Sequence, residues 1–111
     1  MRWPLPQPLL RPLSTMLLAS VAAAPAAAQN AAALQTRALA ATCANCHGTE
    51  GRALADAAVP GLAGMPALYM TEQMKSFKAG TRPATVMHQL AKGYSDAQID
   101  QMAAYFAALK K

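Results

Sequence analysis

Apolar and polar positions alternate along this chain with a helical period. Met70, Met74 and Phe77 fall at i, i+4 and i+7, while Glu72, Lys75 and Lys78 occupy other faces, so the spacing predicts an amphipathic helix. Pro66 suits the first position of that helix, and Gly80 suits the residue just past its end. A second stripe, Ile99, Met102, Ala103, Phe106 and Leu109, predicts a terminal helix. Ser95-Asp96-Ala97-Gln98 before it reads as a capping box, with Ser95 as N-cap and Gln98 at N3, and Lys110 and Lys111 suit the negative end of the helix dipole. Ala31 to Thr42 is alanine-rich, with Leu34, Ala38 and Ala41 at helical spacing, and predicts a further helix running straight into Cys43. Gly48 to Gly64 keeps no sustained period and predicts a loop; Thr81 to Gly93 is too short for more than a loop and a short helix. No segment reads as a strand and no internal repeat is visible, which makes the fold class all-α.

The first residues change this picture. Arg2 and Arg11 give a basic start, Leu13 to Ala24 an apolar stretch, and Ala26-Ala27-Ala28 before Gln29 a small-residue cleavage site. Residues 1–28 are therefore expected to be a cleaved export signal, with residues 29–111 as one small mature domain in the periplasm. A membrane anchor needs about 20 predominantly apolar residues, and Pro25 with its weakly apolar alanines argues against one. The full chain carries a formal charge of +5; without Arg2 and Arg11, eight cationic side chains face five acidic ones, leaving +3. So mild a charge, with no dense Lys/Arg stripe, excludes nucleic acid as the expected partner and leaves a docking surface with local charge.

The chemistry lies in Cys43-Ala44-Asn45-Cys46-His47. Residues at i, i+3 and i+4 share one helical face, so Cys43, Cys46 and His47 point the same way, as covalent attachment of a c-type haem requires. Two thiols can add to the two haem vinyl groups, and His47 can supply an imidazole nitrogen to the iron. Zinc would need a second ligand pair: the chain has no third cysteine, and only the distant His88 could join His47. A thioredoxin-like dithiol would need a βαβ unit. A short-loop disulfide remains open, but it leaves His47 unexplained. One signature implies one haem. A domain this small has trouble burying enough apolar surface unaided, so the haem-free chain is expected to fold poorly. Pro60 either supplies a carbonyl that fixes the second ring nitrogen of His47 or only punctuates a turn.

With the signature, Pro60-Gly61-Leu62 and the terminal helix in place, the mature region resembles the class I cytochromes c throughout. The resemblance implies three to four helices wrapped around one covalent haem, and a terminal helix whose aromatic pair, here Tyr105-Phe106, crosses the helix that leads into the signature. It also implies a prolyl carbonyl, here that of Pro60, holding the proximal histidine. In that family a methionine before the terminal helix binds the iron opposite the histidine. Met65, Met70, Met74, Met87, Met102 and His88 are the candidates, and Met87 lies where the family places its ligand. His88, adjacent to it, stays open by spacing, although a lone histidine is more often a surface residue. The resemblance thus implies a non-catalytic electron carrier with His47 and Met87 as iron ligands; a haem enzyme would need a distal position that opens. A narrower resemblance, carried by Arg82-Pro83-Ala84-Thr85-Val86-Met87 and Ala91-Lys92-Gly93-Tyr94-Ser95-Asp96, is to the cytochrome subunit of flavocytochrome c sulfide dehydrogenase. It implies redox partner proteins, among them a flavoprotein subunit.

Overall fold

The computed structural model describes residues 18–111, with side chains from residue 26 onward. The basic start of the expected export signal and the first part of its apolar stretch lie outside the described residues. Five α-helices are present among the described residues: α1 (Leu18–Ala41), α2 (Ala44–His47), α3 (Ala67–Ala79), α4 (Met87–Leu90) and α5 (Asp96–Ala108). No strand occurs among them. Residues 32–111 form one compact unit, and residues 18–31 fall in another. None of the described helices is long and apolar enough to cross a membrane.

Helix α1 starts well before Ala31, at Leu18, and runs through Pro25; the alanines on both sides of Gln29 are strong helix formers. It also stops short of the signature. Tightened bonds from Thr42 N–H to Leu39 O and from Cys43 N–H to Ala40 O close its last turn, and α2 is a separate turn. Gly48, at φ +84°, ends α2, and a Cβ there would collide with the Arg52 carbonyl. The expected loop then contains one short 3-10 turn, Thr49–Gly51.

Helix α3 begins one residue later than Pro66 was expected to start it. Pro66 has ψ 130°, outside the helical region, and serves as N-cap, its carbonyl accepting the Met70 N–H at 3.0 Å. The far end matches expectation: Gly80 is left-handed, and its N–H reaches back to Ser76 and Phe77 carbonyls. The capping box before α5 is complete, with Ser95 Oγ accepting from Gln98 N–H and Gln98 Oε1 from Ser95 N–H.

Met70, Ile99, Met102, Ala103 and Phe106 form the buried core between α3 and α5, joined by Ala40 from the end of α1. Gly51 lies under Phe106. A Cβ at Gly51 would sit 2.9 Å from the Phe106 ring and 2.8 Å from Leu62 Cβ, so only glycine admits this contact. The Gly51 carbonyl accepts both Leu62 N–H (2.7 Å) and Ala63 N–H (3.1 Å), and Gly64 N–H donates to Phe106 O (2.8 Å). These bonds fasten the loop to the end of α5.

Lys78 closes the other end of the α3–α5 pair by donating to Asp96 Oδ1 and to Tyr94 O, each at 2.8 Å. That hydrogen bond, then the Lys78 charge and more weakly that of Lys75, holds the Asp96 carboxyl below the usual carboxylate range. A lowered folded pKa contributes stability that is complete above the unfolded value of about 4 and is lost as pH falls through the folded one. Denaturation of the wild type and Asp96→Asn across pH should therefore show a constant gap near neutrality that closes below about pH 4. A gap that widens in acid would reverse the assignment.

Candidate functional site

Helix α2 presents Cys43, its N-cap, together with Cys46 and His47 from a single turn. The turn is closed by Cys46 and His47 N–H groups donating to Cys43 O at 3.3 and 3.0 Å. Both cysteines are free thiols, so the disulfide reading is not what this structure shows. Cys46 is exposed and Cys43 half-buried. Burial pushes the Cys43 thiol up, a hydrogen bond with Thr42 opposes the shift, and the neighbouring Cys46 adds to it.

His47 Nδ1 lies 2.7 Å from the Pro60 carbonyl. A carbonyl only accepts, so the ring proton sits on Nδ1 and Nε2 keeps its lone pair free for a metal. Of the two readings of Pro60, the geometry favours the acceptor. Pro60 is held in place because Leu62 and Ala63, just beyond it, are bound to Gly51 O.

Met87 is the first residue of α4, and it and His88 are both half-buried. His88 is not the surface residue its isolation suggested: its Nδ1 is buried with no hydrogen-bond partner among the described residues. Met70 and Met102 are core residues, 5% and 3% exposed, and Met65 and Met74 pack against that core.

Several large apolar side chains have too little protein cover. Leu54 is 85% exposed and Leu68 72%, while Tyr69, Val86 and Leu90 are each about half exposed. They lie in the loop after α2, on the first turn of α3, and around α4. Large apolar residues left open in this number mark a surface meant to be covered. A cleft beside Cys46, bounded by Ala44, Asn45, Ala53, Leu54 and Ala57, lies in the same region of the sequence. A flat apolar macrocycle fits this set: two thiols on one turn, an oriented imidazole and uncovered aliphatic side chains. Among the described residues no three His, Cys, Asp or Glu side chains converge as a metal site would need.

The cytochrome c family model matches residues 31–110. The chain belongs to the cytochrome c family. It is a class I, monohaem c-type cytochrome with covalently bound haem c. It is 41% identical over 71 residues to the thiosulfate dehydrogenase electron acceptor of Thiomonas intermedia, covering 64% of this chain and 33% of that one. It is 39% identical over 70 residues to the cytochrome subunit of sulfide dehydrogenase of Chlorobaculum tepidum, 63% of this chain and 62% of that one. It is also 39% identical to cytochrome c-554(548) of Halomonas halodenitrificans, spanning 83% of that protein and 60% of this chain. The chain thus spans a third of the first of these relatives and about three-fifths of the second.

Within this cytochrome the structure brings together His47 and Pro60 as the sequence suggested. It also shows three features that the sequence reading missed. Gly51 seats both Phe106 and the Pro60 loop; its only sequence signal was a glycine in an aperiodic stretch. Thr42 Oγ1 and Tyr94 Oη lie 2.6 Å apart although 52 residues separate them. Glu50 adopts a left-handed φ of 53° and pairs with Arg52, which also donates to Lys110 O.

Proposed function

We propose that this cytochrome is a periplasmic one-electron carrier. Cys43 and Cys46 hold the haem as thioethers, His47 is the proximal iron ligand, Met87 the distal one, and Pro60 O the acceptor that orients His47. Haem c supplies a one-electron Fe(III)/Fe(II) couple. The observation that carries the reading is the 2.7 Å contact between His47 Nδ1 and Pro60 O, which orients the ring and leaves Nε2 to face a metal. Met87 suits the opposite side because a thioether is soft and neutral and binds without a change of protonation. With His47 and Met87 both committed to the iron, the site would leave no ligand position for a substrate, and the chain would act by docking rather than by catalysis. Export of the chain with removal of residues 1–28 goes with this reading.

The electron donor we propose is a flavoprotein sulfide dehydrogenase subunit. The support is the relative named as a cytochrome subunit of sulfide dehydrogenase, together with the Arg82–Met87 and Ala91–Asp96 stretches. Relatives named as thiosulfate dehydrogenase electron acceptors favour a second reading, a freely diffusing carrier with another donor. Purification of the native protein decides between them. A co-purifying flavoprotein through which sulfide reduces the haem supports the subunit; a protein that purifies alone and is reduced only by another dehydrogenase supports the carrier.

Attachment has its own test. Haem should stay with the wild-type polypeptide in acidified organic solvent, and Cys43→Ser and Cys46→Ser should each leave one thioether, read as a shift in the reduced pyridine-adduct spectrum. Haem that extracts freely from the wild type would overturn the assignment.

A further inference from the structure

Helix α4, which begins with Met87, continues without a break into the 3-10 turn Ala91–Gly93 and ends at Tyr94. Ala91 is fully buried and anchors the middle of this segment. Its end is held twice. Lys78 Nζ donates to the Tyr94 carbonyl at 2.8 Å, and the Tyr94 hydroxyl meets Thr42 Oγ1 at 2.6 Å. Thr42 immediately precedes Cys43. Thr42 Oγ1 also donates to Leu39 O at 2.7 Å, and either hydroxyl can be the donor between Thr42 and Tyr94. One hydrogen bond therefore joins the segment that carries Met87 to the turn that carries Cys43, Cys46 and His47.

We propose that Tyr94 is a positioning residue whose phenol latches the Met87 segment to the attachment turn and so keeps the distal side of the iron closed to outside ligands. This deepens the proposed function and rests on Met87 as distal ligand. Tyr94→Phe removes the hydroxyl and keeps the ring that packs on the core. A single net hydrogen bond shifts an equilibrium about two- to ten-fold. Imidazole should therefore bind the ferric holoprotein of Tyr94→Phe tighter by about that factor. Thr42→Val should do the same, Thr42→Ser should restore wild-type binding, and the double variant Tyr94→Phe/Thr42→Val should exceed neither single change. The far-red sulfur-to-iron absorption band should survive in all of them. Asp96→Asn, which loosens the same corner without touching the phenol, should leave imidazole binding as in the wild type.

Imidazole binding unchanged in Tyr94→Phe, or additive effects in the double variant, overturns the latch. Met87→Ala separates its failure from that of the ligand assignment. If that variant loses the sulfur-to-iron band while Tyr94→Phe behaves as wild type, the latch alone is wrong. If the band persists in Met87→Ala, the ligand assignment is wrong and the latch falls with it.

Discussion

Replacing Met87 by alanine should lower the reduction potential by an amount on the order of tenths of a volt, within the span of about 0.8 V that axial ligands command. A thioether stabilises Fe(II) relative to Fe(III), so its removal favours the oxidised form. The same variant should lose the sulfur-to-iron band and bind cyanide and imidazole readily in the ferric state. Met70→Ala provides the contrast. Met70 is 5% exposed in the α3–α5 core, so its truncation should cost about 2–5 kcal/mol of stability while leaving potential and spectrum near those of the wild type. Met87 is half-buried at the head of a four-residue helix and has no comparable packing role to lose. Voltammetry and denaturation of the two variants read these effects separately. A Met87→Ala protein with the wild-type spectrum would pass the role to another side chain, His88 first, since its Nδ1 is buried with no hydrogen-bond partner among the described residues.

The second large effect is expected at Phe106. It is 1% exposed, and its ring bears directly on Gly51. Phe106→Ala should destabilise the holoprotein by about 3–5 kcal/mol, because the transferred aromatic surface is lost and the cavity is walled by α5 and a backbone that cannot close on it. Against a total of about 5–15 kcal/mol for a typical domain, that is a large share. Gly51→Ala probes the same contact from the opposite side. Its Cβ would meet Phe106 and Leu62 at 2.9 and 2.8 Å at a φ of +71°, where side chains are strained. A loss of about 1–3 kcal/mol is expected from overpacking alone. Because Gly51 O also fixes Leu62 and Ala63, this variant should disturb the Pro60–His47 contact, read as a changed chemical shift of the His47 ring proton. Urea denaturation that separates neither variant from the wild type would remove Phe106 and Gly51 from the account.

The exposed aliphatic side chains Leu54, Leu68, Val86 and Leu90 belong to the same energetics. Each leaves apolar area uncovered that a bound macrocycle would remove from water, at about 25 cal/mol per Å². The protein core proper is small, and its buried members are few. The expectation from the length of the domain, that the haem-free chain folds poorly, is checked by comparing the far-UV circular dichroism of apo- and holoprotein.

The sequence by itself determined the features that depend on neighbours within four residues. The Ser95–Gln98 capping box, the left-handed Gly80, the α3 and α5 stripes and the shared face of Cys43, Cys46 and His47 all follow from the geometry of one helical turn. Pro66 was misplaced by one position because N-cap and N1 both suit a proline, and only its observed ψ distinguishes them. The start of α1 was missed because Pro25 and the small residues after it read as a boundary, whereas the helix runs through them. Tertiary structure alone decided the rest. Pro60 could be named as a candidate acceptor for His47, but only the resemblance favoured that reading over an ordinary turn, since nothing local separates the two. Gly51 beneath Phe106 and Tyr94 against Thr42 unite residues far apart in the chain, where periodicity carries no information about which groups will meet. Such contacts form only when distant segments close on one another, the loop after α2 on the end of α5 and the segment before α5 on the end of α1, and the entropy of that closure is repaid only by the packing and hydrogen bonds that the closed form makes.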